Sequence, residues 1–193
     1  MKSRRSFLLL ASLFAVLPAK AKGQAMLIHD VSNQSLTSAL GTQWRAVSDQ
    51  VMGGISDARV ELATVDGLSC LRLSGDVRLE NNGGFVQASL DLEPGAGLLD
   101  ATAFRGIRLT ARGNGEKYSL HLRTADTKRP WQSYRTEFVA GSAWQTIDLP
   151  FASFKPYRLD APLDLERLRR LGLVAIGRAF FADLAVAKIS LYS

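Results

Sequence analysis

The sequence predicts an all-β fold, an antiparallel sandwich or barrel, on three observations. Apolar residues recur with a period of two in short segments, those segments are separated by turn residues, and helical periodicity is almost absent. With 47% apolar residues and a mean hydropathy of +0.02, its 193 residues can build a substantial core.

Residues 1–21 come first and read as an export signal rather than as structure. Lys2, Arg4 and Arg5 are followed by an apolar stretch from Phe7 to Leu17 and by the small-residue pattern Ala19-Lys20-Ala21. Ser3-Arg4-Arg5-Ser6-Phe7-Leu8-Leu9 is similar to the twin-arginine motif, with Leu9 where that motif commonly has Lys. Cleavage after Ala21 is expected, leaving one domain over 22–193 in the periplasm. The apolar stretch is shorter than the ~20 residues that span a bilayer, and no later segment is continuously apolar over that length.

Strands are expected at Met26–His29, Val60–Val65, Ser69–Ser74, Phe85–Leu90, Gly106–Ala111, Tyr118–Arg123, Tyr134–Phe138, Thr146–Leu149, Leu171–Ile176 and Ala182–Leu191. In the pair 106–111 and 118–123, Ile107, Leu109 and Ala111 alternate with Arg108 and Thr110, while Tyr118, Leu120 and Leu122 alternate with Ser119, His121 and Arg123. Asn114-Gly115 between them predicts a hairpin turn. Pro162–Arg170 is the single helix candidate. Val31–Ile55, Glu93–Phe104 and Phe151–Pro162 read as long loops, places where binding surfaces commonly sit.

Charge argues against a nucleic-acid partner. The pI is 9.8 and the formal net charge +6, but Lys2, Arg4, Arg5 and Lys20 belong to the signal and leave 20 basic against 18 acidic residues. A grip on phosphates needs a concentrated positive surface instead. The single cysteine, Cys70, cannot form an internal disulfide and reads as a small core residue.

Catalytic signatures are lacking. His29 and His121 are the only histidines, neither lies in a metalloprotease or nucleophile-elbow motif, and with one Cys they make a soft-ligand metal site improbable. No cofactor is expected apart from a structural calcium, for which Asp30, Asp49, Asp76 and Asp183 offer hard oxygen donors. Flat apolar faces for a sugar or protein contact are available at Trp44, Trp131, Tyr134, Trp144 and Tyr157. Arg123 and Arg135 can add bidentate contacts near Trp131. Core packing is the competing reading for Trp44 and Trp144.

Two glycine-rich phrases carry most identity: Ser48-Asp49-Gln50-Val51-Met52-Gly53-Gly54-Ile55-Ser56 and Leu79-Glu80-Asn81-Asn82-Gly83-Gly84-Phe85. Each pair of glycines permits positive φ or close backbone approach, and Asp49, Asn81 and Asn82 can bond nearby amides, so they either brace two turns or form a binding site. Together with Trp44 they resemble the complex I intermediate-associated protein family. The likeness continues through Phe104-Arg105-Gly106-Ile107, Arg112-Gly113-Asn114-Gly115, Leu120-His121-Leu122-Arg123-Thr124, Trp131, Tyr134, Phe138, Trp144-Gln145-Thr146-Ile147-Asp148-Leu149-Pro150-Phe151 and Leu171-Gly172-Leu173. Gln50 stands where the family often has Gly, and Asn114 where it commonly has an acidic residue.

The resemblance implies a galactose-binding-like jelly-roll sandwich, a fold shared with carbohydrate-binding modules. It also implies a scaffold without a known catalytic role, since mitochondrial members are assembly factors for respiratory complex I. The expected function is therefore an exported, non-catalytic, protein-binding factor that assists assembly or stability of an envelope or respiratory complex. A glycan-binding module is the alternative and a hydrolase the remote one. The candidate binding residues are Trp44, Asp49, Asn81, Asn82, Arg123, Trp131 and Tyr134.

Overall fold

A computed structural model describes residues 25–32 and 34–193; the expected export signal, residues 1–21, lies outside the described residues. The strands are β1 (Ala25–Asp30), β2 (Arg45–Ser48), β3 (Arg59–Val65), β4 (Leu68–Val77), β5 (Phe85–Asp91), β6 (Gly106–Gly113), β7 (Lys117–Thr124), β8 (Ser133–Val139), β9 (Gln145–Pro150), β10 (Lys155–Tyr157), β11 (Leu168–Ile176) and β12 (Phe180–Tyr192). Helical structure among the described residues is confined to 3-10 turns of three or four residues. None is long and apolar enough to cross a membrane.

The strands form two antiparallel sheets. The first runs β3-β4-β12-β6-β9, with β1 also paired to β12; the second runs β10-β8-β7-β11-β5-β2. At 13 residues, β12 is long enough for one edge to serve two partners, β4 along Phe180–Val186 and β1 along Lys188–Tyr192. Between the sheets, Leu71, Leu109, Leu184 and Ile189 of the first join Leu90, Leu120, Leu122 and Leu173 of the second in one core, all 1% exposed or less. Burying each such side chain is worth about 1.5–3 kcal/mol, so the inward half of the period-two pattern suffices to drive assembly.

The expected hairpin at Asn114-Gly115 is not one. β6 lies in the first sheet and β7 in the second, and the turn between them arches across the core. Gly115 supplies the positive φ of 84°, as the dipeptide suggested. Asn114, however, donates from Nδ2 to the Phe181 carbonyl (2.7 Å) and accepts at Oδ1 from the Tyr118 hydroxyl (2.7 Å), which itself accepts the Asp183 amide (2.9 Å). Those partners belong to β12 and β7, so the turn ties two layers together. A two-residue hairpin does occur between β3 and β4, where Asp66 and Gly67 both take positive φ (47° and 76°), as a type I′ turn demands.

The helix expected over Pro162–Arg170 is also replaced. One 3-10 turn, Leu165–Arg167, is capped by Asp164 accepting the Glu166 amide (3.0 Å), and Leu168 already opens β11. Leu168 is fully buried and its backbone bridges to Leu99, so pairing wins over a single amphipathic turn. β2 and β10 lie inside stretches read as loops. They are four and three residues long, too short to establish a period.

Candidate binding groove

The two glycine-rich phrases meet at one carboxylate. Asp49 is fully buried at the start of a 3-10 turn, Asp49–Met52, that follows β2. Its Oδ1 accepts the Ser56 amide (2.9 Å), while Oδ2 accepts the Ser56 hydroxyl (2.5 Å), the Gly84 amide (2.5 Å) and the Phe85 amide (3.2 Å). A Cβ on Gly54 would lie 2.2 Å from Oδ1, and one on Gly83 would lie 2.6 Å from Oδ2. Glycine is required at both positions because the carboxylate fills the space a side chain would take. Burial alone would raise the Asp49 pKa, but the Gly84, Ser56 and Phe85 donors outweigh it and hold the carboxyl below its usual range. Asp49 is thus a brace joining two loops. Asn81 takes φ 57° in the turn before Gly83 and is exposed; the side chain of Asn82 lies outside what the structure describes.

The braced loops form one wall of a groove of about 540 Å³ on the outer face of the second sheet. Val51 and Met52 project from this wall, 73% and 55% exposed. The opposite wall is made by Pro130, Trp131 and Gln132 of the β7–β8 loop with Tyr157 and Arg158 at β10. Strand register lays the floor in rows. Arg135, His121, Gly172, Ser89 and Arg45 pair in sequence across β8, β7, β11, β5 and β2, and Ser119, Val174, Gln87 and Val47 form the next row. Ser89, Ser119, His121 and Ser133 point away from the core yet are buried, which a concave face explains. Gly172 keeps the floor shallow: a Cβ there would lie 2.6 Å from Gln87 Nε2, whose amide occupies that place.

Positive charge collects at one corner. The Arg135 guanidinium sits over the Tyr157 ring, 3.5 Å from its centroid, and donates from Nε to Ser133 Oγ (2.8 Å). Arg123 donates from Nη2 to the carbonyls of Arg129 (2.9 Å) and Thr127 (3.3 Å), holding the loop that carries Trp131. Burial pushes both guanidinium pKa values down, with Arg170 adding to the effect at Arg123. At the floor's end, Asp91 accepts from Arg170 Nε (2.7 Å) and Arg45 Nη2 (2.6 Å); burial would raise its pKa, and these arginines bring it below the usual carboxylate range. His121 Nε2 is buried without a hydrogen-bond partner, and desolvation first, then Arg135, push the imidazole down to about 3, so it is neutral.

Of the sequence candidates, Arg123 and Trp131 share this groove, and Asp49 shapes its wall from beneath. Trp44 and Tyr134 lie away from it in the core. Trp44 is 3% exposed and packs edge-on against His29 at 5.7 Å; Tyr134 is fully buried and donates its hydroxyl to the carbonyls of Pro162 (2.8 Å) and Ala161 (3.0 Å). Sequence reasoning missed Arg158, Arg170, His121 and the Val51–Met52 pair. His121 and Arg170 lay on the outward half of strands whose shared sheet was not yet known, while Val51, Met52 and Arg158 lie in turns that carry no periodic signal. The calcium candidates are dispersed: Asp183 pairs with Arg72 (2.8 Å), Asp30 accepts from Ser32 Oγ (2.6 Å), and among the described residues no three His, Cys, Asp or Glu side chains converge.

The two-sheet antiparallel β-sandwich is a fold shared with solved carbohydrate-binding modules. The family 11 module from Clostridium thermocellum, in complex with a β-1,3-1,4-mixed-linked tetrasaccharide, superposes with a TM-score of 0.66 at 16% identity, over 89% of this chain and 96% of that one. The family 30 module of a Clostridium thermocellum cellulosomal cellulase gives 0.63 at 16% identity, over 88% and 98%. These likenesses establish the fold. The chain itself belongs to the complex I intermediate-associated protein 30 family, whose family model matches residues 32–184. No curated protein matches the chain.

Proposed function

We propose that this protein is an exported, non-catalytic scaffold that holds a segment of a partner protein in the groove of its second sheet, assisting assembly or stability of an envelope or respiratory complex. The observation that carries this reading is the groove wall: Val51 and Met52 stand exposed on a loop fixed from below by Asp49. Exposed aliphatic side chains on a rigid support suit a protein contact. Family membership supports it, since the family is that of a complex I intermediate-associated protein. Among the described residues the lining contains no Asp, Glu or Cys, and its imidazole, that of His121, is neutral, which favours binding over acid–base chemistry.

A photo-cross-linking residue at Met52 or Trp131, with Arg108 on the opposite sheet as control, tests the reading in cells. A discrete protein adduct at the groove positions alone is expected; equal labelling at position 108 or none at all would count against it. The second reading, glycan binding, is favoured by the fold of the family 11 module and by the 49% exposure of Trp131. If it held, mixed-linked β-glucan oligosaccharide would bind and Trp131→Ala would weaken it at least tenfold, about 1.4 kcal/mol. For export, Arg4→Lys with Arg5→Lys is expected to retain the precursor in the cytoplasm, read by cell fractionation. Normal export of that variant would remove the twin-arginine route.

A further inference from the structure

The groove is polarised, and its polarity defines the occupant more narrowly than the scaffold reading on which this inference rests. One corner gathers Arg123, Arg135, Arg158 and Arg170 beside Trp131, and among the described residues the lining contains no carboxylate. On the opposite sheet Arg72 and Arg108 each meet an aspartate, at 2.8 and 2.6 Å. In the groove, Arg170 reaches Asp91 at the end of the floor, whereas Arg123, Arg135 and Arg158 have no carboxylate within 4.0 Å among the described residues. Arg123 and Arg135, both partly buried, lose hydration without gaining a counter-charge, and the exposed Arg158 stands beside them, so an anionic group arriving there meets a preorganised site. The diagonal corner is apolar: Val47, Val51, Met52, Phe85, Val174 and Ile176.

We infer that the groove binds an extended acidic segment of a protein partner, with carboxylates on the arginine corner and aliphatic or aromatic side chains on the Val51–Met52 corner. Length agrees with this. The lining reaches from β2 to β10, five strand spacings of ~4.8 Å, so an extended chain rising ~3.3 Å per residue crosses with about seven residues. An acidic polysaccharide would satisfy the arginines but would leave Val51 and Met52 uncovered. It would also find the Tyr157 face already occupied by Arg135.

Panning a random dodecapeptide display library on the mature protein tests this without assuming a sequence. The expected enrichment is Asp or Glu next to aliphatic or aromatic residues. Binding of a synthesised hit should fall about tenfold for Arg158→Glu and similarly for Met52→Asp, and should weaken as salt rises, while melting temperature and strand circular dichroism stay at wild-type values. Basic or neutral hits, or acidic hits indifferent to both substitutions and to salt, would overturn the acidic-segment inference while leaving a protein-binding groove in place. Absence of any hit, together with groove-dependent binding of polygalacturonate or mixed-linked β-glucan, would overturn the inference and the scaffold reading together.

Discussion

Asp49→Ala is expected to destabilise the protein by about 3–5 kcal/mol in equilibrium urea unfolding, more than any surface substitution described above. The carboxylate is fully buried and receives three backbone amides and one hydroxyl. Removing it leaves those donors buried without an acceptor, each costing about 1–3 kcal/mol before relaxation and water entry recover part of the loss. Asp49→Asn keeps the shape but turns one acceptor into a donor facing donors, so an intermediate loss of about 2 kcal/mol is expected. The glycines give an internal check. Gly83→Ala places a methyl 2.6 Å from Oδ2 and 2.9 Å from Cγ. Gly83 already has an extended φ of −74°, so the penalty is steric contact with Asp49 and the 3.0 Å approach to the Glu80 carbonyl. In an Asp49→Ala background most of that contact is gone, and the two losses should therefore sum to less than their separate values. Additive losses, or an Asp49→Ala variant within 1 kcal/mol of wild type, would remove the brace as the reason for the two glycine-rich phrases.

The brace also shows what could be read from the sequence. Both phrases stood out because Gly pairs beside Asp and Asn read as braced turns or a binding site, but that they serve one carboxylate is a contact across 35 residues. Alternation in 106–111 and 118–123 correctly placed Ile107, Leu109, Leu120 and Leu122 in the core. It could not say that the two segments belong to different sheets, because the inward faces of an arch and of a hairpin alternate alike. That ambiguity hid the groove. Arg123, Arg135 and Arg170 each lay on an outward position, and nothing local indicated that β8, β7 and β11 sit side by side in that order. Trp131 was visible because a tryptophan in a polar turn has no core to enter. Tyr134 was ambiguous for the opposite reason, since only the fold brings the Ala161 and Pro162 carbonyls to its hydroxyl.

Acidification below pH 6.5 should cost stability before the Asp49 and Asp91 carboxylates titrate. His121 has a folded pKa near 3, and His29, fully buried with both ring nitrogens unpartnered, is also pushed down, by desolvation first and against the pull of Asp30. In the unfolded chain both titrate near 6.5. Above that value neither state carries the proton and stability is unaffected. As pH falls from 6.5 toward the folded values the unfolded state gains protons that the folded state refuses, so stability declines by about 1.4 kcal/mol per pH unit for His121, and His29 adds a loss of the same sign. For His121 alone the loss reaches about 3 kcal/mol at pH 4. Asp49 and Asp91 act in a different window, because their depressed folded values make their stabilisation disappear only as pH falls below about 3.8. Urea unfolding between pH 7 and 4.5 therefore isolates the histidines. The wild type should lose stability over that range and His121→Gln should lose less, by about 2–3 kcal/mol at pH 4.5, with its groove still in place. A flat profile for the wild type would mean that both imidazoles accept a proton in the folded state. The groove would then carry a further cation beside Arg135, and its preference for anionic segments would strengthen, rather than stay constant, below neutral pH.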